Sequence, residues 1–376
     1  MGQDFFTCLP PEIMEDILLR LPIRSIIRCK CVRKSWLDLL ATPEFAKFHL
    51  SRSAVPGLAV FEWKAQPKRY KIIEFVDELD PNCDEHGLNV VFSFDLPSLV
   101  PVHNAANGLL FLWDTGYLII CNPITRDYIE VPLPLDTCDV CVEGYGFGVS
   151  RISGQYKLVR MFSEDKQDAS QQQDAFYSAC EVYTVGTGSW RRIASDGQFE
   201  YEDSSVGAFL NGNLYWLAYD FKSSTEWISC FDLETELIST FPPPPIDHPH
   251  ECGNLSVLGD CLCLCYNWED EFTSEYDIVI WLMKDYGDDE ISWTREFVFR
   301  KMIDTDVLGY ICPIKVFEDG DILMEVGSLL YYCNKTDPIR GVDVSRLGCK
   351  VPSKAAIYAP SLVSLKTFPM ENVTSF

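Results

Sequence analysis

The chain has 376 residues, 47% hydrophobic and 13% aromatic, enough for a large core and for two domains. Its formal charge of −25 is uneven: residues 1–50 carry seven Lys/Arg and six Asp/Glu, while residues 51–376 carry the other 24 Lys/Arg and 50 Asp/Glu, a net −26. So acidic a surface repels phosphate backbones and argues against nucleic-acid binding; it either speeds encounter with a basic protein or keeps a hydrophobic one soluble.

The opening MGQDFFTCLPPEIMED lacks the basic stretch and apolar core of a secretory signal. No uncharged apolar run approaches the roughly 20 residues of a membrane helix. The expected location is the cytoplasm, with the nucleus also open, in a reducing compartment. The 16 cysteines then read as free thiols, small apolar residues of a core, and the sequons at Asn254, Asn334 and Asn372 as idle.

The first fifty residues read as short helices. Pro10 and Pro11 fit a first helical turn, Glu12 suits the positive end of the dipole, and Ile13, Ile17, Leu18 and Leu21 form an apolar stripe that Pro22 ends. A second segment, 23–30, sets Ile26, Ile27 and Cys29 among Arg24, Arg28 and Lys30. A third, 32–40, aligns Val32, Trp36, Leu39 and Leu40, and Thr42-Pro43-Glu44 opens a fourth piece with Phe45 and Phe48. Apolar positions nearly encircle these helices. So small a unit rarely buries enough surface to stand alone, so it needs cover from the rest of the chain or from another protein.

The run Leu9-Pro10, Ile13, Ile17-Leu18, Arg20-Leu21-Pro22, Ser25, Arg28, Cys29, Val32, Lys34-Ser35-Trp36 and Leu39 resembles an F-box motif along its whole length. In that family a three-helix module inserts into a Skp-type adaptor, which bridges to a cullin and a RING subunit. The resemblance implies that Leu9, Pro10, Ile13, Ile17, Leu21, Pro22, Ile26, Val32 and Trp36 bind the adaptor or hold the module's shape. The sequence does not divide them between those roles.

Beyond residue 55 helical periodicity gives way to short apolar runs and turns. Asn107-Gly108, Asn211-Gly212-Asn213, Gly259-Asp260 and Asp319-Gly320-Asp321 precede the β-rich stretches LLFLW, LYWLAY, CLCLCY and ILMEV. Units recur every 40–60 residues or so, the range of a propeller blade. About six are counted: 58–76, one centred on Leu109, 147–192, 206–242, 255–299 and 314–342. A last strand, 355–365, would close a ring by pairing with the first unit, with an open sandwich as the alternative. The chain has no Gly-Gly pair and only one Trp-Asp pair, so kelch and WD signatures are not met.

The stretches AANGLLFL, ICNPITRDYIEVP, GYGFGVSRISGQYKLVRM, EVYTVGTGSWRRI, GAFLNGNLYWLA, ISCFDLETE, LGDCLCLCYNWE and DIVIWLMKDYGDDEISWTREF resemble an F-box-associated interaction domain, and YAPSLVSL its closing strand. This large plant family includes pollen S-locus F-box proteins, which recognise secreted ribonucleases, although no motif here marks that subgroup. The Gln-rich insert 163–178 and the acidic stretch 77–85 match no family pattern and read as variable loops.

Tests for chemistry come back empty. Cys138-x-x-Cys141 has redox or zinc spacing but lacks a second pair, and Asp136 and Asp139 crowd it. His248, His250 and Cys252 follow four prolines in an expected exposed loop, where a metal would bind only adventitiously. Cys261, Cys263 and Cys265 alternate, as do Gly144, Gly146 and Gly148, which reads as sheet core and close strand packing. No G-x-S-x-G elbow occurs. A propeller glycoside hydrolase is the enzymatic rival, its carboxylates plentiful, but the Ser-x-Asp-x-Gly-x-Thr-Trp turn survives only as fragments at Ser195-Asp196-Gly197 and Thr187-Gly188-Ser189-Trp190.

The expectation is therefore a mainly β chain with a small N-terminal α domain: an F-box module at 1–50, a linker at 51–57 and a propeller-like domain of about six blades at 58–370. It is expected to act without cofactor, metal or catalysis, as substrate receptor of an SCF-type ubiquitin ligase. A non-ligase F-box adaptor is the alternative and the hydrolase a distant third. Acidic loops are the choice for contacting a basic target, a secreted ribonuclease being the family's example: Asp77, Glu78, Glu200, Glu202, Asp203, Glu269, Asp270 and Glu271. If charge steers that encounter, the on-rate for a basic target falls markedly as the Debye length shrinks from about 30 Å at 0.01 M salt to about 8 Å at 0.15 M. A salt-insensitive on-rate in stopped-flow mixing reduces the acidic surface to a solubility device.

Overall fold

The computed structural model describes residues 9–53, 56–62, 69–80, 85–98, 100–114, 116–134, 140–166, 175–193, 199–201, 205–220, 223, 225–245, 253–269, 276–285, 291–301, 311–326, 329–333, 340–342 and 354–376. Four helices come first: α1 (Pro11–Leu19), α2 (Ile23–Cys29), α3 (Lys34–Leu40) and α4 (Pro43–Ser53). Prolines preset the first turns of α1 and α4, and Pro22 stands at the N-cap of α2, so the breaks fall where backbone N–H groups are missing anyway. The Thr42 hydroxyl caps α4 by accepting from the Phe45 N–H at 3.3 Å. Helix α4 thus turns a three-helix module into four, and it runs into the segment expected as linker.

Among the described residues the rest forms six sheets of four or five strands, each a blade, antiparallel except where Ser205–Val206 joins the third blade in parallel. Their packing explains the sequence pattern. Alternate residues of one strand enter different seams: Leu110 and Leu112 pack towards the first blade, while Leu109 and Phe111 pack towards the third. A strand buried on both faces needs no polar partner for period two, so it reads as a continuous apolar run. Val159 and Met161 meet Leu214 and Trp216 between blades three and four; Tyr215 and Ile228 meet Leu262 and Leu264 in the next seam. Cys263 and Cys265 fill the seam between blades five and six with Ile322 and Met324. Leu323 and Ile314 then meet Leu58 and Val60, which closes the ring. The open sandwich is thereby excluded.

Closure uses the chain's end. The strand Lys354–Tyr358 is the innermost strand of the first blade, with Leu58 opposite Ile357 and Phe61 opposite Lys354. It stops at Tyr358, short of the expected Leu365, because residues from Ser361 onward leave the sheet as a strap. Glycines of the third blade sit under neighbouring rings: a Cβ on Gly146 would lie 2.5 Å from the Trp216 ring, and one on Gly148 equally close to Phe209. Only a residue without a side chain allows that approach.

Two expected loops are strand. Residues 77–80 continue the strand Arg69–Asp80, with Leu79 opposite His86 and Asp80 opposite Glu85. The Gln-rich insert lengthens a hairpin: Ser163 lies opposite Ser178 and Lys166 opposite Ala175. In both places a polar sequence mimics a loop while the backbone ladder continues, and residues 81–84 between the first pair of strands lie outside the described residues. Residues 167–174 lie outside the described residues, as do Cys138, His248, His250 and Cys252.

The strap is pinned by Asn122, which is fully buried. Its amide donates to the carbonyls of Ser361 (3.1 Å) and Val363 (2.6 Å), and its Oδ1 accepts the Ile124 N–H at 2.8 Å. Further along, Glu371 accepts from the Tyr183 hydroxyl (2.8 Å) and from the Gly186 N–H (2.5 Å), and Thr374–Ser375 pairs with Tyr128 and Asp127. Asn122→Ala leaves two carbonyls and one amide without partners, which costs about 3 kcal/mol. Urea unfolding should show a midpoint lowered accordingly, with amide protection lost first along residues 361–376.

Candidate adaptor interface and target face

The helices share one small core. Leu18, Leu19, Ile23, Ile26, Leu40 and Phe45 are buried together, and Leu362 of the strap joins them as a full member, with Ile124 and Val363 against its edge. The core is therefore completed from below by the propeller. Polar contacts fix its outer corners. The buried His49 donates from Nε2 to the Leu21 carbonyl at 2.9 Å, while Arg52 (2.8 Å) and Arg20 (2.7 Å) converge on Asp16 and hold its carboxyl below the ordinary carboxylate range. Arg24 reaches Glu74 of the first blade at 3.6 Å.

What the propeller does not cover is the other side. Ile13, Ile17, Ile27, Val32, Leu37 and Phe48 all stay exposed, Val32 at 62% and Phe48 at 52%. Five large apolar side chains on the four short helices, with Val32 in the turn before α3, present surface that water penalises and that no part of the described chain seals. The nine sequence-selected residues now divide by position. Pro10, Ile13, Ile17, Pro22 and Val32 are exposed; Leu9, Leu21 and Trp36 are partly buried against the core; Ile26, at 0%, is inside it. Ile27, Leu37 and Phe48 were not selected. The signal for Ile27 was its adjacency to Ile26: neighbours on a helix point about 100° apart, so both cannot face one core.

The helices sit at one end of the propeller. The strand Gly57–Glu62 is the next element after α4, with three residues between them, and Glu74, Ile124 and Leu362 all touch the helical unit. That end carries the turns between the first and second and the third and fourth strands of each blade. The opposite end carries the remaining turns and the crossovers between blades. Glu200, exposed on the short strand Phe199–Tyr201, and Glu269, the last residue of Cys261–Glu269, belong to that far end. Glu202, Asp203, Asp270 and Glu271 lie outside the described residues. Asp77 and Glu78 do not join this group. They continue past Glu74 on a strand whose Glu74 lies opposite Gly57, which puts their backbone at the helical end.

Through the middle runs a cavity of about 670 Å³, lined among others by His103, Trp113, Asn254, Cys312, Glu325 and Lys354. Burial shifts three of its titratable groups towards their neutral forms. Burial pushes the Glu325 carboxyl up to about 7, against the charge of Lys354 and the Ala355 N–H, and pushes the Cys312 thiol up to about 12. Burial and the Lys354 charge lower His103 to about 3, so its Nε2 keeps a proton for the Trp113 carbonyl 3.0 Å away. A thiol so hard to ionise is a poor nucleophile.

Comparison with known proteins agrees with this architecture. An F-box domain model matches residues 6–48, and a model of the F-box associated beta propeller domain matches residues 70–365. The chain thus belongs to the F-box proteins that carry an F-box-associated β-propeller. Relatives in Arabidopsis thaliana include F-box protein CPR1, 26% identical over 348 residues covering 85% of this chain and 80% of that one. F-box/kelch-repeat protein At3g23880 is 26% identical over 384 residues, covering 95% of each. Among solved structures, oligogalacturonate lyase from Vibrio parahaemolyticus shares 13% identity over 73% of this chain and 71% of that one, with a TM-score of 0.36. That likeness is too remote to bear on function. Among the described residues, no helix is long and apolar enough to cross a membrane.

Glu325 gives this domain a pH signature. Its pKa is raised on folding, so its contribution to stability is fully present below the unfolded carboxylate value of 4.5 and is lost as pH rises through about 7. Glu325→Gln removes that loss. The melting temperature of the variant relative to the parent should rise from about pH 5 to about pH 8, and a constant difference would mean that the folded chain does not resist ionisation there.

Proposed function

We propose that this protein is the substrate-recognition subunit of an SCF-type ubiquitin ligase, docking through its helices onto a Skp-type adaptor and, through that adaptor, onto a cullin and a RING subunit. The observation that carries the reading is the uncovered apolar face of Ile13, Ile17, Ile27, Val32, Leu37 and Phe48 beside a core sealed on its other side. Burying each of these half-exposed side chains is worth about 1 kcal/mol, so the six together match the low end of the cost of association and no single one decides docking. The far end of the propeller, with Glu200 and Glu269 at its turns, then points away from the adaptor and receives the target. Glu202, Asp203, Asp270 and Glu271 extend that surface in sequence, whereas Asp77 and Glu78, at the helical end, are dropped from it.

The mechanism is proximity. A bound target is held near a ubiquitin-charged conjugating enzyme, which raises the effective concentration of its lysines, and bond-making belongs to other subunits. The acidic propeller favours a basic target, and a secreted ribonuclease is one example of that chemistry. The setting is cytoplasmic or nuclear.

Co-purification separates this role from its alternatives: adaptor plus cullin supports the ligase subunit, adaptor alone a scaffold outside the ligase, and neither of them a different role altogether. Leu9→Ala combined with Pro10→Ala should weaken adaptor capture while the melting transition of the propeller stays in place. Undiminished pull-down by that variant counts against the docking assignment.

A further inference from the structure

At the outer rim of the seam that closes the ring, three ligating side chains from two blades converge. His86 stands on the last strand of the first blade, Glu85–Phe94, with its side chain 1% exposed. Its ring lies flat on Phe317 of the sixth blade, centroids 3.7 Å apart and planes within 6°. That stack aims Nε2 at the turn following Phe317. Asp319 Oδ2 is 2.9 Å from it and Asp321 Oδ2 is 3.8 Å away. One imidazole nitrogen, in a fixed ring, thus faces two carboxylates brought from the other end of the chain.

We propose that His86, Asp319 and Asp321 form a binding site for a divalent transition-metal ion of the zinc type. Ligand atoms about 2.0–2.1 Å from a tetrahedral zinc stand about 3.4 Å apart, and the two measured separations bracket that spacing. All three ligand atoms lie within 4.8 Å of one another. A cation among the three would neutralise the mutual repulsion of two carboxylates held this close together. The imidazole makes the site selective: a nitrogen donor with carboxylates suits zinc or its neighbours, whereas calcium takes six to eight oxygens and magnesium an oxygen octahedron. Three protein ligands leave a fourth position for water.

Two features set what the ion does. The ligands join the first blade to the sixth, so binding ties the ring at its point of closure and stabilises the folded state by mass action. Lys315 places its ammonium 5.1 Å from the centroid of the same Phe317 ring. That positive charge weakens affinity for a cation and makes the site exchangeable rather than permanent. With several thiols and the His248–His250 loop elsewhere in the chain, zinc uptake by itself identifies nothing.

The test uses full-length protein stripped with a chelator. Zinc at about a hundredfold over its dissociation constant should raise the melting temperature by about 5 °C, and calcium or magnesium should not. Asp321→Asn should abolish that shift, read against the variant's own metal-free melting temperature, because the carboxylate is largely buried and its replacement alone can move the baseline. Cobalt should give visible ligand-field bands in the parent that disappear in Asp321→Asn, without the near-ultraviolet thiolate band that cysteine sites show. An equal zinc shift in parent and variant, or none in either, overturns the proposal and leaves the trio as an ion pair between blades.

Discussion

The whole structure hangs on the chain's last stretch, residues 354–376. Lys354–Tyr358 supplies backbone partners to Gly57–Glu62, without which the first blade would present an open edge to the channel. A few residues on, Leu362 enters the helical core and Asn122 grips the carbonyls on either side of it. One segment thus closes the ring and mounts the helices on it. For the proposed receptor role such a mount matters, because a loose hinge would dilute the effective concentration that proximity creates.

Division of apolar surface between inside and outside follows from that mount. Helices this short cannot sequester a core alone. The strap supplies cover on one side only, and the opposite side keeps Val32, Phe48 and their neighbours in water. Covering one side leaves the other committed to a partner. The charge balance fits the proposed division, since the helical segment is near neutral while the propeller carries the acidity.

Much of this was legible in the sequence. Runs such as Leu109–Leu112 announced strands buried on both faces, and the turns at Asn107-Gly108 and Asn211-Gly212 marked the blades; both asparagines indeed have positive φ. Alternation at Cys261–Cys265 and at Gly144–Gly148 gave core and close packing, as found. Less legible was what depends on distant partners. Nothing local to Ile26 and Ile27 says which one faces inward, because that is decided by Leu362 far along the chain. The acidic stretch from Asp77 imitated a loop because strand ends beyond the core lose the apolar alternation that betrays a strand. His86 escaped notice for the same reason: its two carboxylates lie 233 residues or more away and only the circular topology unites them.

Closing the ring with its final strand also sets an order of events during synthesis. As the chain leaves the ribosome, the helices and Gly57–Glu62 emerge first, yet the strand that completes their sheet and the leucine that plugs their core come last. The nascent polypeptide therefore displays an unpaired β-edge and an unfilled hydrophobic socket until residues 354–362 have been made.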